Sequence, residues 1–113
     1  MASNINITMD QGTTFISTFN IVDGEGNPLD LSTYTGSALM RKTYMSVNSY
    51  TFGVTTGSNG NITLTMSANT TRNIWPGRYV YDIDVTSSNN IVSRVVQGIV
   101  TVTPSVTDNG NVV

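Results

Sequence analysis

The chain has 113 residues, a net charge of −2, no cysteine and no histidine. This length fits one domain, and the missing thiols and imidazoles exclude disulfides, thiolate metal sites and catalysis by a histidine base. Charged residues are 11% of the chain, against about 25% in ordinary domains, and five cations are too few to neutralise a nucleic-acid backbone. We therefore expect no nucleic acid among the partners, no metal and no cofactor.

The remaining composition favours strands over helices. Valine (13) and isoleucine (9) outnumber leucine (4) and alanine (3), while threonine (18), asparagine (13) and serine (12) supply the polar surface. Branched side chains crowd a helix turn and pack well on a pleated sheet. No run approaches the roughly 20 apolar residues of a membrane span, and the first residues lack the pattern of an export signal. We expect a soluble, all-β protein that contacts no membrane.

In the first part of the chain, alternation of apolar and polar residues predicts strands over residues 4–9, 13–22 and 37–44. Between the second and third strands, residues 23–28 carry glycine, asparagine and proline, which favour a loop. The two phenylalanines of the second strand mark its buried face. The inward face of the third strand stays open, because apolar side chains occur on both of its sides.

The middle of the chain predicts a second hairpin and a corner. Residues 50–54 and 61–66 alternate cleanly on either side of a turn rich in glycine and asparagine, which favours two paired strands. Ser67 is a candidate N-cap for a helix of one or two turns. Such a helix must end before Pro76, because proline is not tolerated in a helix interior.

The last part of the chain, residues 72–104, predicts a long hairpin. Its first strand alternates apolar and acidic side chains, and its second strand is dense in β-branched residues. A three-residue connection at 88–90, with an asparagine in the left-handed conformation, places Asp84 opposite Arg94. That register satisfies the charges on the outward face.

The same register pairs Ile83 with Val95 and leaves a stripe of valines on the outward side of the second strand. A solvent-facing strand does not normally carry such a stripe. Two explanations stay open: a β-bulge at Gln97 and Gly98 that switches the faces, or a partner that covers the stripe. The candidate partner-contact residues are therefore Val80, Val92, Val96, Val100 and Val102, together with Val112 and Val113 near the C-terminus.

The number and spacing of the strands fit one architecture. We predict an all-β protein, an immunoglobulin-like antiparallel β-sandwich of about seven strands with Greek-key connections. In such folds a tyrosine soon after the corner between the sheets sends its hydroxyl back to upstream backbone, and Tyr79 or Tyr81 stands at that place. Residues 1–104 would form the sandwich and residues 105–113 a C-terminal tail.

No residue pattern predicts a catalytic site, so we expect that the protein is not an enzyme. Serine and threonine hydroxyls have no histidine base, and Lys42 is the single lysine. Asp82 and Asp84 share one strand face, where a carboxylate pair for acid–base work is possible in principle. Ion pairing with Arg94 is the ordinary role of such carboxylates.

Two further clusters each suggest a ligand. Oxygen donors at 23–30 resemble a calcium loop, but Pro28 stands where an EF-hand has glycine, which favours a plain loop. Exposed aromatic residues would form a sugar-stacking platform, whereas a tryptophan beside Pro76 more simply closes the end of the core. The platform residues would be Trp75, Tyr34, Tyr44 and Tyr50.

Three stretches resemble a family of small virion structural proteins of tailed bacteriophages, particularly T4-like phages of marine and cyanobacterial hosts. They are GTTFISTFNIVDGEGNPLDLSTYTGSALMRKTY, NGNITLTMSANTT and PGRYVYDIDVTSSNNIVSRVVQGIVTVTP. The most specific parts are PGRYVYD at 76–82 and VQGIVTV at 96–102. A G-x-Y-x-Y-D strand followed by a Q-G-x-V-x-V strand is similar to the closing hairpin of immunoglobulin-like modules in phage baseplate and tail proteins.

The resemblance implies a non-catalytic component of the virion, either a head decoration protein or part of the tail, neck or baseplate. Its partners would be other virion proteins, and the protein itself would be present in many copies or as a homo-oligomer. The low-charge surface agrees, since long charged side chains lose entropy and resist desolvation on packing. We also expect residues 1–4 and the tail to lie on neighbouring subunits. A carbohydrate-binding module for host-surface attachment is the alternative function.

Overall fold

A computed structural model describes residues 3–22, 25–43, 45–46 and 48–105. These residues form nine strands and one short helix. In chain order the elements are β1 (Ser3–Asn4), β2 (Ile7–Asp10), β3 (Phe15–Asn20), β4 (Thr35–Arg41), β5 (Tyr50–Thr51), β6 (Gly53–Thr56), β7 (Asn61–Met66), α1 (Ala68–Thr71), β8 (Gly77–Thr86) and β9 (Val92–Thr103). The helix has four residues, so no helix in the described ranges could cross a membrane.

The strands form two sheets whose order confirms the predicted immunoglobulin-like sandwich. In the larger sheet β1 and β2 both pair with β9, and the order continues β9, β8, β4, β5, while the smaller sheet has the order β3, β7, β6. The chain passes between the sheets after β2, β3, β5 and β7, which gives the Greek-key connections of this fold. The prediction of a wholly antiparallel sandwich is wrong at one edge, because β1 and β2 run parallel to β9.

The core lies between the two sheets and is built from the alternate residues that the sequence pattern placed inward. Both phenylalanines of β3 are buried, as are alternate residues of β7 and β8. In β4 the buried residues are Ala38 and Met40, while Leu39 lies half-buried on the outer face. This resolves the inward face that the sequence left open.

Residues 50–56 form two short strands rather than the single predicted one. Tyr50 pairs with Met40 of β4 in the larger sheet, whereas Gly53 already pairs with Thr65 of β7 in the smaller sheet. Phe52 lies between them, is 3% exposed, and donates its N–H to Ala38 O at 3.0 Å. The chain therefore changes sheets at Phe52, and the buried ring is the pivot of that change.

The β8–β9 hairpin has the predicted turn and a bulge two residues before the predicted position. Asn90 has φ 63°, and Asp84 stands opposite Arg94 as expected. The register then shifts, so Ile83 pairs with Val96 and Val95 is the extra residue. Because one inserted residue moves every later side chain to the other face, the shift turns the following alternate valines into the core.

The N-terminal strands are held on β9 by close backbone contacts at Gly98. The backbone oxygen of Ile5 lies where a side chain at residue 98 would begin, and the Tyr81 hydroxyl donates to that oxygen at 2.6 Å. Burial raises the pKa of Tyr81 to about 12, so the hydroxyl stays protonated as a donor. Gly98 thus permits a close approach of backbones, not the hairpin bulge that the sequence suggested.

This arrangement also corrects the expectation that residues 1–4 lie on a neighbouring subunit. Ser3 and Asn4 pair with β9 of their own chain. Residues 1–2 and all of the predicted tail except Ser105 lie outside the described residues.

Gln11 joins three parts of the fold at the corner of the sandwich. Its side chain is 2% exposed and donates to Ile74 O at 3.0 Å and to Arg72 O at 3.3 Å. Its oxygen accepts the N–H of Ser105 at 3.2 Å. The glutamine thus satisfies backbone groups that would otherwise be buried without partners.

Candidate functional site

The predicted valine stripe does not exist as one surface, because the bulge at Val95 turns most of it inward. Val80 is half-buried and Val92 is 62% exposed, and both remain candidates for partner contact. Three other members are core residues that are at most 2% exposed, which corrects their assignment to a contact surface: Val96, Val100 and Val102. The last two, Val112 and Val113, lie outside the described residues.

A different surface is available for pairing, the outer edge of β3. Ile21 donates its N–H to Gly60 O at 2.8 Å, directly opposite in the register of β3 and β7. Backbone groups of antiparallel strands alternate in direction, so those of Ile16, Thr18 and Asn20 point away from β7. This edge of six residues contains no charge and no proline, and Ile16 is 65% exposed.

The other sheet edges carry features that weaken pairing. β5 has two residues, and β6 has four and begins with Gly53. Between β1 and β2 the edge is interrupted at residues 5–6, where the Asn6 side chain accepts the N–H of Ile99 at 3.1 Å. Short strands and interruptions are common means of blunting an edge. Among the described strands, β3 therefore offers the longest uninterrupted edge.

The acidic face of β8 is an ion-paired cluster, as the sequence indicated. The Nε of Arg94 lies 3.4 Å from Asp82 Oδ2 and 3.5 Å from Asp84 Oδ1. Burial raises the pKa of Asp82, the Asp84 carboxylate raises it further, and Arg94 and Arg41 oppose the shift. The three side chains line a cavity of about 340 Å³ with Leu39, Arg41 and Val80.

This cluster holds a shared cation between two carboxylates. Asp84 Oδ1 is shielded from solvent and forms no hydrogen bond in the described part of the chain, because its contact with Arg94 is longer and less directed than a hydrogen bond. Acid–base catalysis needs a group within reach of a substrate proton and a pKa matched to the task. Here both carboxylates are engaged by Arg94.

The calcium loop that the sequence analysis weighed against a plain loop can be compared with the described residues. Asp30 uses Oδ1 to accept the N–H of Ser32 at 3.0 Å, and this bond lowers the pKa of Asp30. Asp23 of the predicted donor set lies outside the described residues. Across the described ranges, no three acidic side chains come together as a metal site would require.

Trp75 is 57% exposed and does not close the end of the core, so the interpretation that the sequence favoured for it is wrong. Trp75 forms the rim of a groove with a volume of about 580 Å³. We call this the Trp75 groove, and its lining residues are Lys42, Ser46, Asn48, Tyr50, Trp75 and Tyr79. The groove lies at the end of the sandwich where β5 and β8 begin and β4 has just ended.

The tyrosine corner fixes the wall of the groove. The Tyr79 hydroxyl donates to Trp75 O at 2.8 Å, which confirms the corner that the sequence predicted for Tyr79 or Tyr81. The rings of Tyr79 and Tyr50 meet edge to face with centroids 6.3 Å apart. Burial, followed by the nearby Tyr50, raises the pKa of Tyr79, so this hydroxyl remains a donor.

Lys42 supplies the charge of the groove. Its Nζ lies 4.9 Å from the centre of the Tyr79 ring, where the ammonium is attracted to the ring face. A Cβ at residue 77 would stand 2.8 Å from that Nζ, so Gly77 leaves room for the lysine head. Among the described residues, no carboxylate lines the groove and none pairs with Lys42.

The predicted aromatic platform is thus present in part. Trp75 and Tyr50 line the groove, Tyr34 packs against the core, and Tyr44 lies outside the described residues. Tyr79 and Lys42 were missed. Met40 of β4 pairs with Tyr81 of β8, and the same register continued by two residues places Lys42 opposite Tyr79. The sequence alone did not reveal that these two strands are neighbours.

The fold is similar to that of the N-terminal domain of ORF48 of phage TP901-1. The identity is 12% and the TM-score 0.55, and the match covers 88% of this chain and 84% of that domain. No protein-family model matches the sequence, and no curated protein is significantly similar to it. At this identity the likeness shows a shared fold.

Two longer bacterial proteins contain a more distantly similar region. They are the internalin-like protein lmo2027 of Listeria monocytogenes (17% identity, TM-score 0.43) and a family 123 glycoside hydrolase from Clostridium perfringens (13% identity, TM-score 0.39). The matches cover 88% and 90% of this chain but only 27% and 23% of those chains. Similarity at this level carries no argument about function.

Proposed function

We propose that this chain is a non-catalytic structural protein of a bacteriophage virion, which acts by packing against other virion proteins. The observation that carries the proposal is the fold shared with a domain of a phage protein over nearly the whole chain. The finer assignments, a T4-like phage of marine or cyanobacterial hosts and a place on the head, tail, neck or baseplate, rest on the sequence resemblance of the three stretches quoted above.

The chemistry of the surface supports packing rather than catalysis. The chain has no histidine and no cysteine, and the acidic pair on β8 is engaged by Arg94. A surface of threonine, asparagine and serine loses little side-chain entropy on contact and can hydrogen-bond across an interface. The proposed partners are capsid, tail or baseplate proteins, or further copies of the chain.

The β3 edge is the surface that we propose for this packing. It presents the N–H and C=O groups of Ile16, Thr18 and Asn20 without a charge that would repel a neighbour. An incoming strand of another subunit would satisfy these groups by extending the smaller sheet. The exposed side chain of Ile16 would lie beside that strand and lose its contact with water.

A charge at the edge tests the proposal. Thr18→Lys introduces a residue that typically prevents edge pairing, and Thr65→Lys places the same charge on the same face of the central strand β7 as a control. Both should change the free energy of unfolding by about 0.5 kcal/mol or less. In a phage lacking its own copy, Thr18→Lys should reduce the amount of the protein in purified particles at least tenfold, and Thr65→Lys should not.

Two results would contradict this proposal. The first is a purified particle that contains none of the unmodified protein by quantitative mass spectrometry. The second is equal incorporation of the two variants, which would show that the β3 edge takes no part in assembly.

The exposed indole of Trp75 favours a second candidate function, a carbohydrate-binding module for host-surface attachment. A purely structural domain would be expected to bury its single tryptophan, because burial of an aromatic ring contributes strongly to core stability. Here the tryptophan stands at the rim of a groove with a tyrosine and a lysine. The two functions are compatible, since a virion protein can also contact the host.

A further inference from the structure

We propose that the Trp75 groove binds a pyranose sugar that carries a carboxylate group. The inference rests on the second candidate function and does not require the particle role. It follows from three features of the groove: an exposed aromatic face on a restrained backbone, a single cation that no described carboxylate pairs with, and a volume suited to a small ligand.

The aromatic face of Trp75 stands on a restrained stretch of backbone. Trp75 is 57% exposed, yet its carbonyl accepts the Tyr79 hydroxyl at 2.8 Å and Pro76 follows it directly. Proline fixes its own φ and restricts the preceding residue, so the backbone that carries the indole has little conformational freedom. The negative face of an indole attracts the slightly positive C–H groups on one side of a pyranose ring.

The single cation selects the charge of the ligand. Of the described residues that line the groove, Lys42 is the one ionisable side chain other than tyrosine, and none is a carboxylate. Its ammonium is positioned by the Tyr79 ring and by the space above Gly77. An anionic group entering the groove would therefore meet an ammonium that no described carboxylate neutralises, although the protein as a whole carries a net charge of −2.

The remaining lining suits the hydroxyls of a sugar. Ser46 and Asn48 stand on the same groove. The Ser46 hydroxyl is already bonded to Thr43, whose N–H it accepts at 3.0 Å, whereas the Asn48 amide can both donate to and accept from a sugar hydroxyl. The volume of about 580 Å³ lies within the range of roughly 300–1,000 Å³ typical of small-molecule sites. Small-molecule sites are usually lined by aromatic and apolar side chains together with a few polar groups that orient the ligand.

The fluorescence of the protein reports on this groove alone, because Trp75 is the only tryptophan. Titration of the full chain with glucuronic acid, polygalacturonate and glucose compares an acidic monosaccharide, an acidic polymer and a neutral sugar of similar shape. We expect a saturable change in emission with both acidic ligands and a much weaker one with glucose. Binding of the polymer alone would point to a surface polysaccharide, and binding of both to recognition of the sugar unit itself.

Two substitutions with the same loss of charge provide the decisive comparison. Lys42→Gln should weaken binding of glucuronic acid about tenfold or more, since a charge-assisted hydrogen bond contributes about 1.5–3 kcal/mol. Arg78→Gln removes a cation from the exposed face of β8 outside the groove and should leave binding unchanged. Isothermal titration calorimetry with Trp75→Phe and Trp75→Ala separates the need for an aromatic face from the fluorescence signal.

The proposal is overturned if neither glucuronic acid nor polygalacturonate shows saturable binding. It is equally overturned if Lys42→Gln and Arg78→Gln weaken the binding of glucuronic acid to the same extent. It is also overturned if the tryptophan emission responds only to another virion protein, which would make the groove a protein interface. None of these outcomes touches the role in the particle, which is judged by incorporation and not by sugar binding.

Discussion

At the scale of single residues, three side-chain choices hold the ends of the sandwich together. Gln11 satisfies backbone groups at the corner, Tyr79 ties the groove to Trp75 O, and Tyr81 reaches the backbone of the N-terminal strands. Each bond joins parts of the chain that the strand ladders do not connect. Loss of one buried partner costs more than the bond itself contributes, because the other partner remains desolvated.

Gly98 makes the contact between Tyr81 and Ile5 possible, and its substitution provides a test. In Gly98→Ala the new Cβ would overlap Ile5 O, so we expect a loss of roughly 1–3 kcal/mol in the free energy of unfolding. Gly57→Ala is the matched control, because its Cβ would come no closer than 3.7 Å to Asn61 Cβ. Urea denaturation of both variants measures the difference.

Amide hydrogen exchange locates that effect. In Gly98→Ala the amides of β1 and β2 should exchange faster than in the unmodified protein, while those of β7 should be unchanged. Only the N-terminal strands lose their close contact with residue 98. Equal stability of the two alanine variants, or uniform loss of protection across both sheets, would contradict the role assigned to Gly98.

At the scale of elements, the hairpin of β8 and β9 determines which face of the larger sheet is buried. The bulge at Val95 places Val96 opposite Ile83 and inside the core, where it is 0% exposed, whereas Val95 is half-buried. A continuous register would have reversed the two positions. The same substitution at these neighbouring valines therefore distinguishes the registers.

We expect Val96→Thr to lower the free energy of unfolding by about 1–3 kcal/mol, because it buries a hydroxyl without a partner. Val95→Thr should cost less than about 1 kcal/mol, because water reaches that side chain. Chemical denaturation gives both values under identical conditions. A larger loss at Val95 than at Val96 would place the bulge elsewhere in the hairpin.

The elements that the sequence predicted well are those with strong local signals. The alternation in β3, β7 and β8, the cap at Ser67 and the left-handed Asn90 were all correct, since each depends on neighbouring residues. The change of sheets at Phe52 was missed, because both halves of residues 50–56 alternate alike. The bulge was predicted two residues too late in the sequence, because a glycine within a strand often marks a bulge. Gly98 instead lies against the backbone of Ile5, which is distant in sequence.

The candidate site was less predictable for the same physical reason. Trp75 and Tyr50 could be named from their chemistry, but Lys42 and Tyr79 join them only through the pairing of β4 with β8. The β3 edge depends on sheet order, which local patterns do not encode. The position of Trp75 beside Pro76 favoured burial at the end of the core, whereas the tryptophan is 57% exposed.

At the scale of the whole molecule, the described edges and faces differ in whether they are available to bind another molecule. The edges at β1–β2, β5 and β6 are interrupted or short, the acidic face of β8 is neutralised, and the β3 edge and the Trp75 groove remain available. A domain of this kind can be held in an assembly by one edge while its end stays free to meet a ligand. The proposed packing and sugar binding therefore need not compete for one surface.

The most direct test of the account is a cryo-electron microscopy reconstruction of the particle of the phage that encodes this chain. We predict density for this two-sheet sandwich on the particle, with a strand of a neighbouring subunit extending the smaller sheet at Ile16, Thr18 and Asn20. A particle map in which every ordered protein is accounted for without this chain would contradict its role in the virion. A map that shows the domain attached through another surface, with the β3 edge in solvent, would contradict the mode of packing.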